Sequence, residues 1–322
     1  MSGRVQTVLG AVSPDVLGRT LTHEHLSMEF THFYRRPPAA LASKFPAKHI
    51  SLQSVGYLRQ YPYSSKYNLT LNDKDTVQAV LNDVKMFKES GGGTIVENSA
   101  EGLDRDLSFL KRVSTETGVH VVAGTGYYIA DTQHDDSLHR TTEEMYKRMM
   151  ADLTEGCVED KTIKAGFIGE VASVWPIREF ERRAIVATGE VVEQLGVGVS
   201  FHPHRNPDAP AEIIRIYLEA GGRADRAVMS HLDRGVRRAR LLAHPQQRDA
   251  AHEVPRLHST RYRPRHHTEP REVARHTELI LIFAILPISQ QLKQYPVPPR
   301  ASRPVAKGRL SCSCLTRDTS HV

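Results

Sequence analysis

The first 234 residues alternate between short apolar stretches and longer stretches with helical spacing. In residues 75–90, apolar side chains at positions 77, 80, 81, 84 and 87 are three, one, three and three positions apart, as on one face of a helix. Gly91, Gly92 and Gly93 predict its end, and residues 94–98 predict a buried strand. The same alternation predicts six strands, at residues 21–25, 94–98, 119–126, 163–172, 197–202 and 227–232. The helices predicted between them are residues 75–90, 104–117, 142–153, 179–195 and 211–220.

This order of elements indicates an α/β protein. Strands that are apolar throughout are typical of parallel strands buried on both faces. Repeated units of strand and helix favour either a (β/α)₈ barrel or a doubly wound sheet. The glycine-rich segments form neither a G-x-G-x-x-G fingerprint after the first strand nor a P-loop, which makes a nucleotide-binding sheet the weaker alternative.

The last 88 residues differ in composition from the rest of the chain. The 322 residues carry a formal net charge of +6, which divides into −4 for residues 1–234 and +10 for residues 235–322. The second part holds 9 of the 18 prolines but only 2 of the 21 glycines, and its helix and strand periods are weak. We therefore predict a barrel domain in residues 1–234 and a basic tail, residues 235–322, that lacks regular structure.

The overall composition excludes several classes of protein. Hydrophobic residues make up 39% and charged residues 25%, as in an average soluble globular protein. The longest apolar run is less than half of the ~18 residues that a membrane helix needs. The N-terminus lacks the apolar region of a secretory signal, and three cysteines cannot form a disulfide framework. We therefore expect a cytoplasmic protein.

Histidines and one glutamate stand at the ends of four predicted strands. His23 and His25 are two residues apart on the first strand, so both imidazoles point to the same side. Glu170, His202 and His231 end the fourth, fifth and sixth strands. A single strand-end histidine is usually structural or exposed, but functional groups of a barrel collect at the C-terminal strand ends. Four imidazoles and one carboxylate at that end predict a site for Zn²⁺ or a similar ion.

The residues around these positions resemble the phosphotriesterase family of the amidohydrolase superfamily. The similar motifs are T-L-T-H-E-H-L at residues 20–26, G-G-G-T-I-V-E-N at 91–98, G-F-I-G-E at 166–170, H-P at 202–203 and M-S-H-L-D-R at 229–234. The resemblance covers about residues 3–234. It implies a (β/α)₈ TIM barrel, of which six β/α units are recognisable in this chain.

The family resemblance also implies roles for the five residues. His23 and His25 would bind the more buried of two divalent ions, with zinc as the expected metal. Glu170 would bridge both ions, and His202 and His231 would bind the more exposed one. The nucleophile would be a hydroxide that bridges the ions, and the reaction would be hydrolysis of a small N-acyl amide such as N-acetyltaurine.

The chain departs from the family pattern after Arg234. The family has an aspartate at the end of the eighth strand, but no Ala-His-Asp-like strand end follows here, and Asp249 and Asp318 lie in polar contexts. We therefore assign no catalytic residue beyond the metal ligands. A barrel with six of eight strands has two open edges and an incompletely filled core, which predicts low stability.

Two further candidates concern the substrate, and two other functions remain alternatives. Arg205, close after His202, is positioned in sequence to meet an anionic substrate group, with a surface arginine as the alternative. Tyr127 and Tyr128 follow the third strand and either line the pocket or pack in the core.

The first alternative function is a chain that binds metal without turnover. The second is a nucleic-acid binder that uses the basic, tyrosine-containing residues 261–267, although the chain has no recognisable nucleic-acid module.

Overall fold

Six parallel strands follow one another in chain order across one sheet of the computed structural model, which describes residues 3–42 and 50–232. A two-stranded antiparallel hairpin precedes them. The strands are β1 (Val5–Thr7), β2 (Gly10–Val12), β3 (Arg19–Glu24), β4 (Gly92–Glu97), β5 (His120–Thr125), β6 (Phe167–Ala172), β7 (Val199–His202) and β8 (Ala227–Met229). The α-helices are α1 (Ala39–Ala42), α2 (Leu52–Gln60), α3 (Lys74–Glu89), α4 (Leu107–Thr117), α5 (Asp135–Leu138), α6 (Thr142–Thr154), α7 (Glu179–Leu195) and α8 (Ala209–Glu219).

The prediction of an α/β protein with six strands separated by helices is confirmed. The sheet order β3-β4-β5-β6-β7-β8 is that of neighbouring strands in a (β/α)₈ barrel. The fourth predicted strand is shorter than expected, because its first residues belong to the preceding connection. There, Ile163 accepts a hydrogen bond from the Cys157 N–H at 2.7 Å, and the Ala165 N–H donates to the Asp152 carbonyl at 2.9 Å.

Local signals fix several helix ends. Asp106 caps α4 by accepting a hydrogen bond from the Phe109 N–H at 2.9 Å. Gly118 ends the same helix in the left-handed region, with φ 67°, where glycine carries no steric penalty. Thr141 and Glu144 form a capping box at the start of α6.

Two apolar clusters hold the helices against the sheet. The first packs α6, α7 and α8 on β6 and β7, through residues that include Met149, Ile185, Val192, Phe201, Ile213 and Tyr217. The second packs α3 and α4 on β4 and β5, through residues that include Leu81, Val84, Ile95, Leu110, Val113 and Val121. Both layers bury apolar side chains on the helix side of the sheet, as the uniformly apolar strands predict.

The hairpin β1–β2 lies at the N-terminal end of the sheet. Val8, at its tip, is buried, and its N–H donates to the Val121 carbonyl at 2.9 Å. Within residues 3–42 and 50–232, β3 and β8 are the two edge strands. In that same part of the chain, no helix combines the length and apolar character that crossing a membrane requires.

Several predictions concern residues that the structure does not describe. The proposed basic tail, residues 235–322, lies outside the described residues, and so do Asp249, Asp318 and residues 261–267. The domain boundary at residue 234 therefore stays a prediction.

Candidate metal centre

The five residues predicted as metal ligands come together at the C-terminal end of the sheet. His23 lies near the end of β3 and His25 directly follows that strand. Glu170 lies within β6, two residues before its end, and His202 is the last residue of β7. His231 follows β8 by two residues. All are buried except His202, whose side chain is 19% exposed.

Glu170 is at the centre of this cluster. Its Oε2 atom lies 2.8 Å from His202 Nδ1, 3.2 Å from His23 Nε2 and 3.5 Å from His231 Nε2. Its Oε1 atom lies 3.6 Å from His25 Nε2. Among the residues that the structure describes, the ion-pair partners of Glu170 are all imidazoles.

The donor atoms divide into two overlapping groups that could each hold a metal ion. One consists of His23, His25 and Glu170, and the other of Glu170, His202 and His231, with ligand atoms inside each group no more than 4.8 Å apart. Imidazole nitrogens and a carboxylate are the ligands that zinc and similar divalent ions bind in proteins. The chemistry of this donor set therefore fits the ions that the resemblance implies.

The electrostatics of the cluster favour an ionised carboxylate. Burial alone would raise the pKa of Glu170, but the imidazoles of His202 and His23 outweigh burial and hold that pKa well below its usual value. Burial lowers the pKa of His23, which favours the neutral imidazole that a metal ion binds. Burial also acts to lower the pKa of His25, but the carboxylate of Glu170, whose Oε1 lies 3.6 Å from His25 Nε2, raises it overall.

Asn98, just after β4, connects the strands that carry the cluster. Its N–H donates to the Glu24 carbonyl at 2.8 Å, and its own carbonyl accepts from the Glu170 N–H at 2.9 Å. Asn98 is fully buried, so these backbone bonds are shielded from water. Asn98 therefore links the strand of His23 to the strand of Glu170.

Two local features place Glu170 and His231. A Cβ atom on Gly124 of β5 would overlap the carbonyl oxygen of Gly169, so glycine is needed there for β5 to approach β6 beside Glu170. His231 has φ 59°, in the left-handed region that non-glycine residues rarely adopt. Strain of this kind is typical of residues whose position serves a function.

Serine hydroxyls contact the ring nitrogens of His23 and His25 that do not face Glu170. Ser99 Oγ lies 3.0 Å from His25 Nδ1, and Ser230 Oγ lies 3.3 Å from His23 Nδ1. The sequence interpretation missed Glu97, Asn98 and Ser99. The signal was available, since these polar residues lie at the end of β4 or directly after it, next to apolar strand residues, and burying such groups is costly without partners.

An aromatic wall stands beside His202. The Tyr128 ring is 5.4 Å from the His202 ring in an edge-to-face contact, and Phe30 and Phe33 lie within 6.4 Å of Tyr128. Tyr127 instead packs in the core against Phe180, so only the second tyrosine contacts the cluster.

Arg205 lies on the loop that follows β7. It is exposed. Burial and then the nearby positive charge of Arg205 lower the pKa of His204. The role of Arg205 toward a substrate stays a prediction.

A barrel-type parallel sheet with histidines and a glutamate at its strand ends defines an α/β protein with a candidate metal site. Comparison with known proteins gives its family. The model of the Phosphotriesterase family matches residues 3–246, which extends past Arg234. The phosphotriesterase-related protein of Drosophila melanogaster is 53% identical over 233 residues, which cover 72% of this chain and 66% of that protein. The chain belongs to the Phosphotriesterase family, and it spans 66% of the length of the curated relatives from Drosophila melanogaster and Drosophila persimilis.

Two solved structures share the fold. The resiniferatoxin-binding protein from Rhodobacter sphaeroides superposes with a TM-score of 0.67 at 28% identity, over 72% of this chain and 63% of that one. A lactonase from Listeria monocytogenes superposes with a TM-score of 0.59 at 18% identity, over 78% of this chain and 70% of that one. The second likeness supports the fold alone.

Proposed function

We propose that this chain is a metal-dependent hydrolase that acts on a small N-acyl amide such as N-acetyltaurine. The observation that carries the proposal is the convergence of four imidazoles on one buried carboxylate. His23, His25 and Glu170 would hold one divalent ion, and Glu170, His202 and His231 would hold the second. Zinc is the metal that this donor set suits best.

The chemistry needs an activated water and stabilisation of negative charge on the substrate. Two bound divalent ions supply both, because they lower the pKa of water and offset developing charge. Burial favours neutral His23 and the surrounding imidazoles favour ionised Glu170, and these are the forms in which the two residues bind a metal ion. Asn98 links the strands of these two ligands through backbone hydrogen bonds to Glu24 and Glu170.

The surroundings of His202 support a substrate with one apolar and one anionic end. Tyr128, Phe30 and Phe33 offer an apolar wall for a small acyl group. Arg205, on the exposed loop after His202, carries the positive charge that a sulfonate or carboxylate would pair with. An acetylated aminosulfonate has both features.

The test is a metal count combined with hydrolysis assays on the full chain. We expect folded, monodisperse protein to bind two zinc ions and to release taurine from N-acetyltaurine. A lactone and a phosphotriester are assayed in parallel, because the names of the lactonase and of the family indicate these two substrate classes. The Glu170→Gln variant is the matched control, and equal taurine release by this variant and the unchanged chain would contradict the proposal.

A second candidate is a chain that binds metal without turnover. It is favoured by the sequence after Arg234, where no Ala-His-Asp-like strand end follows among residues 235–322. Two bound zinc ions with no hydrolysis of any of the three substrates would establish this candidate and exclude the first.

We further propose a cytoplasmic protein that does not bind nucleic acid. The three cysteines and the −4 net charge of residues 1–234 support this. In cell fractionation the chain should stay with cytosolic markers. Tight, steeply salt-dependent binding to a random oligonucleotide would contradict the second part.

A further inference from the structure

The Ser99 hydroxyl makes three polar contacts in the interior, and one of them is with a candidate ligand. Its Oγ lies 2.7 Å from Glu97 Oε1, 3.0 Å from His25 Nδ1 and 3.1 Å from the Ser27 carbonyl oxygen. Ser99 and Glu97 are 0% and 1% exposed, so water does not compete for these contacts.

Counting protons assigns the direction of these hydrogen bonds. A hydroxyl has one proton, and Ser99 has two neighbouring acceptors for it. The Ser27 carbonyl cannot donate, and both oxygens of Glu97 already accept backbone N–H groups, from Leu26 and from Ser99, at 3.1 Å each. With Glu97 ionised, the Ser99 proton points to one of these acceptors, and the third contact is then made by His25 Nδ1–H donating to Ser99 Oγ.

We propose that Ser99, held by Glu97, is a positioning residue that fixes the tautomer and the ring orientation of His25. With the proton on Nδ1, the lone pair is on Nε2, the nitrogen that faces Glu170 Oε1 at 3.6 Å. Glu97 also holds the backbone beside the imidazole, because it accepts the N–H of Leu26. Such outer hydrogen bonds orient histidine ligands and strengthen metal binding. This inference rests on the metal site of the proposed function.

His23, near the end of β3, offers a contrast to His25. His23 Nδ1 lies 3.3 Å from Ser230 Oγ, which in turn lies 3.1 Å from Ser200 Oγ. Either hydroxyl of that serine pair can donate to the other, so the direction of the contact with His23 is not fixed by the neighbours. Ser230→Ala is therefore a matched substitution at the equivalent nitrogen, without a carboxylate behind the serine.

The first measurement is zinc affinity, by competition with a chromophoric chelator, on full-length variants whose folding is checked by thermal melts. Ser99→Ala should weaken zinc binding about 10- to 100-fold, and Ser99→Thr, which keeps the hydroxyl, should restore most of it. Ser230→Ala should have a smaller effect. Unchanged zinc affinity in folded Ser99→Ala would overturn the proposal, and so would equal losses in Ser99→Ala and Ser99→Thr.

The second measurement reads the tautomer directly. Long-range ¹H–¹⁵N spectra of the metal-free full chain, at a pH where its histidines are neutral, should show His25 protonated on Nδ1. That population should fall in Ser99→Ala. A wild-type His25 protonated on Nε2 would overturn the inference, even if the protein binds no zinc. Absence of zinc binding with the Nδ1 tautomer present would instead overturn the proposed function alone.

Discussion

Glu170 and Asp152 are both buried carboxylates, each 1% exposed, but they meet different partners. Glu170 contacts four imidazoles. Asp152, on α6, pairs with Arg105 Nη2 at 2.9 Å and Arg148 Nε at 3.2 Å, and it accepts a hydrogen bond from Thr125 Oγ1 at 2.8 Å. Glu170 therefore lies among metal-binding side chains, whereas Asp152 lies among permanent cations.

The positive and negative charges in the cluster around Asp152 balance each other. Arg105 and Arg148 also pair with Glu159, so two guanidinium groups balance two carboxylates. Burial alone would lower the pKa of Arg105, but the charges of Glu159 and Asp152 raise it above its ordinary value. Such a network supports structure without an added ion. The Glu170 cluster instead presents one carboxylate and four imidazoles, a set whose donor atoms suit a cation.

The largest effect should come from removing the charge of Glu170. Glu170→Gln keeps the volume but removes the anionic ligand shared by both groups. We expect zinc affinity to fall by more than about 100-fold, beyond the loss typical of outer hydrogen bonds, with no bound zinc after dialysis. The measurement is metal content per folded chain. Two retained ions would show that the Glu170 carboxylate is not a ligand that the two groups share.

The next effect should come from His231, and it tests whether the two groups are separable. His231→Asn removes one imidazole, and asparagine tolerates the positive φ that this position requires. We expect the zinc content to fall from two ions to one, because His23, His25 and Glu170 remain. His23→Asn is the reciprocal variant. Loss of both ions in His231→Asn would show that the cluster binds metal as a single unit.

The sequence predicted much of the fold because the signals were local. Short apolar stretches located all six parallel strands, and Gly91, Gly92 and Gly93 marked the end of α3. The hairpin escaped prediction because strands of three residues, such as Val5–Thr7, are too short to show a period.

The sequence also predicted which residues converge, because β3, β6, β7 and β8 are parallel and their C-terminal ends share one edge. It could not reveal the partners across that edge. Ser99 contacts His25 from 74 residues away, and Arg105 reaches Asp152 across 47 residues. Contacts of this kind depend on the register of strands and helices in space, which a single sequence does not encode in any local pattern.

A smaller effect is expected at Asp152, and it should appear in stability alone. Asp152→Asn leaves the buried guanidinium of Arg105 and the half-buried one of Arg148 beside a neutral group, which should lower the free energy of unfolding by about 3 kcal/mol. Zinc affinity of the folded variant should be unchanged. Urea denaturation gives the first quantity and chelator competition the second. A variant that loses zinc without losing stability would reverse the roles that we assign to the two carboxylates.

The smallest effect isolates one hydrogen bond to the buried charge. Thr125→Val removes the hydroxyl that donates to Asp152 Oδ2 and should cost about 1.5–2 kcal/mol, because the acceptor is ionised. Thr188→Val is the matched control, since Thr188 is buried as well and its hydroxyl donates at the same 2.8 Å, but to the neutral Ala184 carbonyl of α7. That variant should lose only about 1 kcal/mol in urea denaturation. Equal losses would mean that Asp152 behaves as a neutral acceptor, and the contrast with Glu170 would then rest on the arginines alone.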